Sequence, residues 1–233
     1  MNMANLLPAW AVTFGSDILS FIAFVAMMGG YYYRLDRCTR RDATCTIQGI
    51  NSIARAAWVE DIIANRRDIL AVQTLRNSTM AATFLASTSV LLMIGVLSLS
   101  GQQDKLNEAW HALNAFGARH TELWILKLIL LLLDFFVAFF SFSLAIRTFN
   151  HVGYMINVPL TLQHQAITPA HVASHLNQAG RYYTIGMRAY YLSIPVVLWL
   201  FGPIFMLVSA LVMIPILARI DSAPKILAED YKK

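Results

Sequence analysis

Residues 123–147 read LWILKLILLLLDFFVAFFSFSLAIR, 25 residues in which Lys127 and Asp134 are the only charges before Arg147. A helix rises about 1.5 Å per residue, so about 20 apolar residues cross the hydrocarbon core of a bilayer. The run is too long for a strand, and only helices and closed barrels satisfy their backbone groups inside lipid. It reads as a transmembrane helix. Working outward, the stretches 9–32, 78–99 and 190–217 have the same character. The whole composition agrees: of 233 residues, 58% are hydrophobic and 13% charged, against roughly 25% charged in a soluble domain. Mean hydropathy is +0.56. This excludes disordered, collagenous and disulfide-framework proteins and argues against an ordinary soluble enzyme. The fold class expected is all-α: a polytopic membrane protein with four transmembrane helices and short interfacial amphipathic helices, forming one transmembrane domain over residues 1–233.

Orientation follows the arginines and lysines. Of 18 such residues, eight lie between residues 34 and 78, beside five acids. The segment 147–189 carries Arg147, Arg181 and Arg188 with no acid, whereas 100–122 carries Lys105 and Arg119. Segments 34–77 and 148–189 are therefore expected in the cytoplasm, and both termini outside (N-out/C-out). The basic C-tail, with Arg219, Lys225, Lys232 and Lys233, is the dissenting signal. No Lys or Arg precedes the first apolar run, which is expected to be a retained span and not a secretory signal. The net charge of +5 reports topology and anionic headgroups, not nucleic acid. Cys38 and Cys45 stand seven apart, match no zinc motif and are expected as free cytoplasmic thiols.

The connections carry helical patterns of their own. Residues 51–65 set Ile53, Ala57, Ile62 and Ile63 along one face. They predict an amphipathic helix on the inner surface, anchored by Trp58 and running on into the second span. Residues 104–116 predict an outer interfacial helix. Thr168-Pro169 starts a further helix that Gly180 is expected to end. The fourth span contains Pro195, Gly202-Pro203 and Pro215. Each internal proline frees the carbonyl four residues before it, here Tyr191, Trp199 and Leu211. A kinked, packed helix and a moving or pore-lining one both fit.

Several groups could carry chemistry. Asp17 and Asp134 lie within spans, where a carboxylate must be paired, wetted or protonated. Asp17 continues a polar stripe with Thr13, Ser16 and Ser20, and Lys127, Asp134 and Ser141 share one face of the third span. Both acids are expected in the outer half of the bilayer, roughly 12 and 16 Å from the outer helix ends. They could meet there, balanced by Lys127, as an ion or proton site or as a polar core that fixes helix register. His171 and His175 have the i, i+4 spacing of a metal pair, with no carboxylate nearby in sequence. The small-residue pairs Ala82/Ala86 and Thr83/Ser87 permit close helix packing, internal or between copies. No nucleophile-and-base motif is present.

Five stretches resemble the DUF599 family of uncharacterised membrane proteins: RAAW (55–58), ILAVQTLRNSTMAATFLAST (69–88), AIRTFNHVGY (145–154), the arginine–tyrosine run of 181–191, and WLFGPI (199–204). The resemblance implies a helical protein of a bacterial inner membrane and no reaction. Its polar signature falls on Gln73, Arg76, Asn77 and Arg147, and on Asn150, His151, Arg181 and Arg188. On the topology above these gather at the inner membrane edge, where they would contact headgroups, phosphate or a partner.

The function expected is that of a non-catalytic accessory or assembly subunit, in a membrane complex or as a homo-oligomer. It would need no cofactor, bind lipid, and partner other membrane subunits or itself. The alternatives are an ion or small-solute channel or carrier using Asp17 and Asp134, and a membrane enzyme acting on a lipid or phosphate ester at the inner interface, with His151 as its base.

Overall fold

The computed structural model describes residues 9–101, 121–158 and 167–223. Six α-helices run through them: α1 Ala9–Arg41, α2 Ile47–Asn65, α3 Asp68–Ser100, α4 Thr121–Ile156, α5 Pro169–Trp199 and α6 Pro203–Asp221. Four, α1, α3, α4 and α6, are long and apolar enough to cross a bilayer, and the chain is an integral membrane protein. The expected outer helix at 104–116, with His111 and His120, falls outside the described residues, as does His164.

Two of the expected spans, 78–99 and 123–147, are the apolar parts of helices that extend well past them. At 1.5 Å per residue α3 and α4 are each about 50 Å long, beyond a hydrocarbon core of about 30 Å. The excess lies at one end, where α2 and the start of α5 pack on them around Val59, Ile62, Leu75, Phe149, Val152, Val172 and Leu176. Toward the other end a second core joins Phe24, Met93, Leu128, Trp199, Met206 and Met213.

The fourth span is corrected. The chain from 190 to 217 is two helices, α5 and α6, separated at Leu200–Gly202. Gly202 has φ 143° and ψ 159°, a region open essentially to glycine alone, and Pro203 opens α6 with no amide hydrogen to lose. The Gly-Pro pair is thus a chain reversal and not a kink. Beyond it α6 runs back along α1, so that Asp221 accepts a hydrogen bond from Tyr31 at 2.7 Å and Ser222 pairs with Thr46 in a β-bridge. The end of α6 therefore lies beside the α1–α2 connection, while its start lies beside Asp17 and Lys127. The start of α1 and the end of α6 are at opposite ends of the bundle, which corrects the expectation of both termini on one side.

Other local readings change too. Gly180 sits inside α5 and does not end it. Arg66, with φ 49°, closes α2 in the left-handed region, so α2 does not continue into α3. Its buried face is Gly49, Val59 and Ile62, and Ile53 is 53% exposed. Ala82 and Ala86 are buried within the bundle, so that small-residue pair serves internal packing. Cys38 and Cys45 are joined in a disulfide, Cα atoms 6.4 Å apart, where free thiols were expected. It links the end of α1 to the 3₁₀ turn Ala43–Cys45 that leads into α2.

Candidate functional site

Two polar sites interrupt the apolar bundle, one at each end of α6. With 19 residues, α6 spans about 28 Å at 1.5 Å per residue, close to the hydrocarbon thickness of a bilayer. That is the length of a single crossing.

At the Pro203 end, Lys127 Nζ lies 2.8 Å from Asp17 Oδ1, with side chains 5% and 0% exposed. Trp199 Nε1 donates to the same carboxylate oxygen at 2.8 Å. Lys127 Nζ also donates to the Trp199 carbonyl at 3.2 Å and stands 4.8 Å from the centre of its ring. The Trp199 carbonyl, which also accepts from the Gly202 amide at 3.1 Å, is thus capped by a lysine from α4. Phe21 stacks on the other side of the junction, 5.1 Å from the Trp199 ring. The site ties α1, α4 and α5 together where the chain reverses. Asp134 does not join it. It lies two turns farther along α4, about 10 Å toward the opposite end, and its Oδ2 is buried with no hydrogen-bond partner.

At the Asp221 end, α2, α3, α5 and α6 enclose a cleft of about 950 Å³. Most of its wall is apolar, including Trp58, Leu75, Tyr183, Met187 and Leu217. Its charged lining residues are Arg55, Arg188 and Asp221. Arg55 Nε donates to Asn177 Oδ1 at 2.8 Å, and Asn177 in turn donates to the Ser52 carbonyl at 3.2 Å. Burial pushes the Arg55 pKa below its ordinary value. Its guanidinium lies flat on Gly180, where a Cβ would come within 2.8 Å of Arg55 Cζ. That contact is why α5 carries a glycine in mid-helix. Arg188 donates to Gln48 Oε1 at 3.3 Å and lies over the Tyr32 ring, 4.9 Å from its centre. Its Nε and the Tyr32 hydroxyl are buried without a hydrogen-bond partner. Among the described residues neither arginine forms an ion pair. Asp221 is engaged by Tyr31. Buried polar atoms are nearly always satisfied, so Arg188 Nε and the Tyr32 hydroxyl stand out at the cleft.

Only part of the expected inner-edge cluster enters this cleft. Asn77 and Arg188 line it. Arg76 and Asn150 line a separate cavity of about 370 Å³ between α3 and α4. Gln73, Arg147, His151 and Arg181 are exposed on the outside of their helices. Arg55, Gln48 and Tyr32 were not singled out by sequence, since the cleft joins residues more than a hundred positions apart. The Arg-Ala-Ala-Trp motif at 55–58 was the one available signal. His171 and His175 stand with their Nε2 atoms 3.2 Å apart, and no group of three metal-ligating side chains occurs among the described residues.

Comparison with known proteins places the chain. The family described as "Protein of unknown function, DUF599" matches residues 19–226, nearly the whole length, and the chain belongs to that family. No curated protein and no solved structure matches it.

Proposed function

We propose that this DUF599 protein is a non-catalytic accessory subunit of the bacterial inner membrane, acting by binding within a complex or as a homo-oligomer. The observation that carries this reading is the cleft at the Asp221 end. It offers two arginines without carboxylate partners and an apolar wall. The described residues lining it include no serine or cysteine beside a histidine or other base. Such a site is equipped to hold something and not to turn it over.

The same reading sets the orientation. The arginine-rich end, with Arg34, Arg37, Arg40 and Arg41 at the close of α1, faces the cytosol by the positive-inside rule. The start of α1 then lies outside and Ser222 inside. Arg219, in the last turn of α6, then lies with the other arginines on that side. Bound lipid fits the cleft's wall, and no cofactor is required by it.

A carrier remains the second reading, because the unpartnered Asp134 Oδ2 sits in a span. Against it, Asp17 is neutralised by Lys127 and Asp134 lies elsewhere. An enzyme using His151 has less support, since that side chain is exposed on α4 away from the cleft.

The test is the composition of the particle extracted in mild detergent from native membranes. A fixed stoichiometry with another membrane protein, or a defined homo-oligomer, is expected. A lone monomer that carries ions into liposomes, or that turns over a lipid, contradicts the proposal.

A further inference from the structure

We propose that the cleft between α2, α3, α5 and α6 is a site for one anionic phospholipid of the inner leaflet. The inference rests on the binding reading above and names its ligand. Its phosphate sits between Arg188 and Arg55, and an acyl chain runs along Leu75, Met187 and Leu217. Three observations lead there.

The first is charge. The charged lining residues are two guanidinium groups and one carboxylate, and that carboxylate is occupied by the Tyr31 hydroxyl. One net positive charge remains, matching one phosphodiester. Arg188 Nε is buried with no acceptor, and arginine presents its donors to phosphate in a planar fork.

The second is depth. Leu217, Ile220 and Asp221 line the cleft at the last turn of α6, the helix whose length matches the hydrocarbon core. The cleft therefore sits where headgroup phosphates lie.

The third is access. The α3 and α6 helices both line the cleft, and both turn large apolar side chains outward: Phe84 is 72% exposed and Ile216 47%. A lipid can enter from the side with its chains still in the bilayer. A soluble anion would gain nothing from the apolar wall, which makes the lipid the better occupant.

The experiment is native mass spectrometry of the full-length chain in detergent. An equimolar mixture of phosphatidylglycerol and phosphatidylcholine is offered. The wild type is expected to retain one phosphatidylglycerol at least ten-fold over phosphatidylcholine. Arg188→Gln and Arg55→Gln should each lower that retention at least five-fold. Gly180→Ala keeps both charges but drives the Arg55 guanidinium aside, and should lower it as well. Arg37→Gln, an exposed residue outside the cleft, should leave it unchanged. Thermal unfolding of each variant checks that it is folded, and Gly180→Ala serves if an arginine variant is not.

Equal retention of the two lipids overturns the inference and leaves the binding reading standing. So does displacement of the lipid by inorganic phosphate, which would mark a headgroup-only site, or an equal loss in Arg37→Gln. Dimerisation that is lost on Arg188→Gln would make the occupant a second copy. Retention of no lipid at all removes the cleft as a binding site and the proposed function with it.

Discussion

Lys127 of α4 and Asp17 of α1 form a fully buried ion pair, 2.8 Å between Nζ and Oδ1, directly beneath the point where the chain reverses at Gly202. The pair is held in register by Trp199, which donates to the acid through its indole and accepts from the base through its carbonyl. Burying two charges is costly, and removing one partner leaves the other uncompensated. Asp17→Asn and Lys127→Met should each destabilise the folded protein by about 3–5 kcal/mol. The double variant Asp17→Asn/Lys127→Met should lose less than the sum. Thermal unfolding in detergent reads this. Strict additivity would mean that the pair does not act as a unit.

The reversal itself depends on one residue. Gly202, at φ 143°, holds a conformation that other residues adopt at a cost of about 1–3 kcal/mol. Gly202→Ala should lower the unfolding temperature, whereas Gly95→Ala on α3, where a Cβ meets nothing within 4 Å, should not. Equal effects would remove the special role of position 202.

Helices α4 and α5 pack closely at Gly186. A Cβ there would lie 2.7 Å from Phe142 Cζ, and Phe142 is fully buried. Gly186→Ala overpacks the contact and should cost about 1–3 kcal/mol. Phe142→Leu added to it should recover part of the loss, although it is destabilising alone. A double variant no better than Gly186→Ala would contradict this packing.

The Cys38–Cys45 pairing bears on sidedness. The structure holds the oxidised pair, whereas a bacterial cytosol keeps such cysteines reduced, so the proposed orientation predicts that the bridge is open in the cell and that both thiols react with a maleimide in permeabilised cells without prior reduction. The pair would close on oxidation of purified protein. If the thiols react only after reductant, and do so from the periplasmic face of intact cells, the arginine-rich end is outside and the orientation is reversed.

What the sequence made legible follows from what its signals measure. Hydropathy reports exposure to lipid, and α3 and α4, with Phe84, Leu91 and Phe140 outward, were plain from it. Helix α5 was legible only at its start, where Thr168 caps it and Pro169 opens it; the rest was not, because it runs between other helices, buries Gly186, Ala189, Ser193 and Val196, and needs no uniform apolar surface. Its last turns merged with α6 into one apolar run, and a Gly-Pro reversal has the same composition as a proline kink. That misread junction also put the end of α6 at the same end of the bundle as the start of α1, where the structure sets them at opposite ends. At the Pro203 end Asp17 and Lys127 were both recognisable as buried charges. Their pairing to the exclusion of Asp134 needed the azimuth of three helices. The cleft was the least legible, since Arg55 meets Asn177 across 122 positions, and Gly180 resembled a helix stop until its contact with Arg55 explained it.

The most direct measurement uses single cysteines placed at Gly101 and at Ser222 in a chain with Cys38 and Cys45 replaced by serine. Gly101 follows α3 at the Lys127 end of the bundle, and Ser222 pairs with Thr46 at the arginine-rich end. An impermeant maleimide applied to intact cells should label position 101 and reach position 222 only after permeabilisation. Labelling of both positions from the same face would restore an unbroken fourth span and contradict the hairpin of α5 and α6.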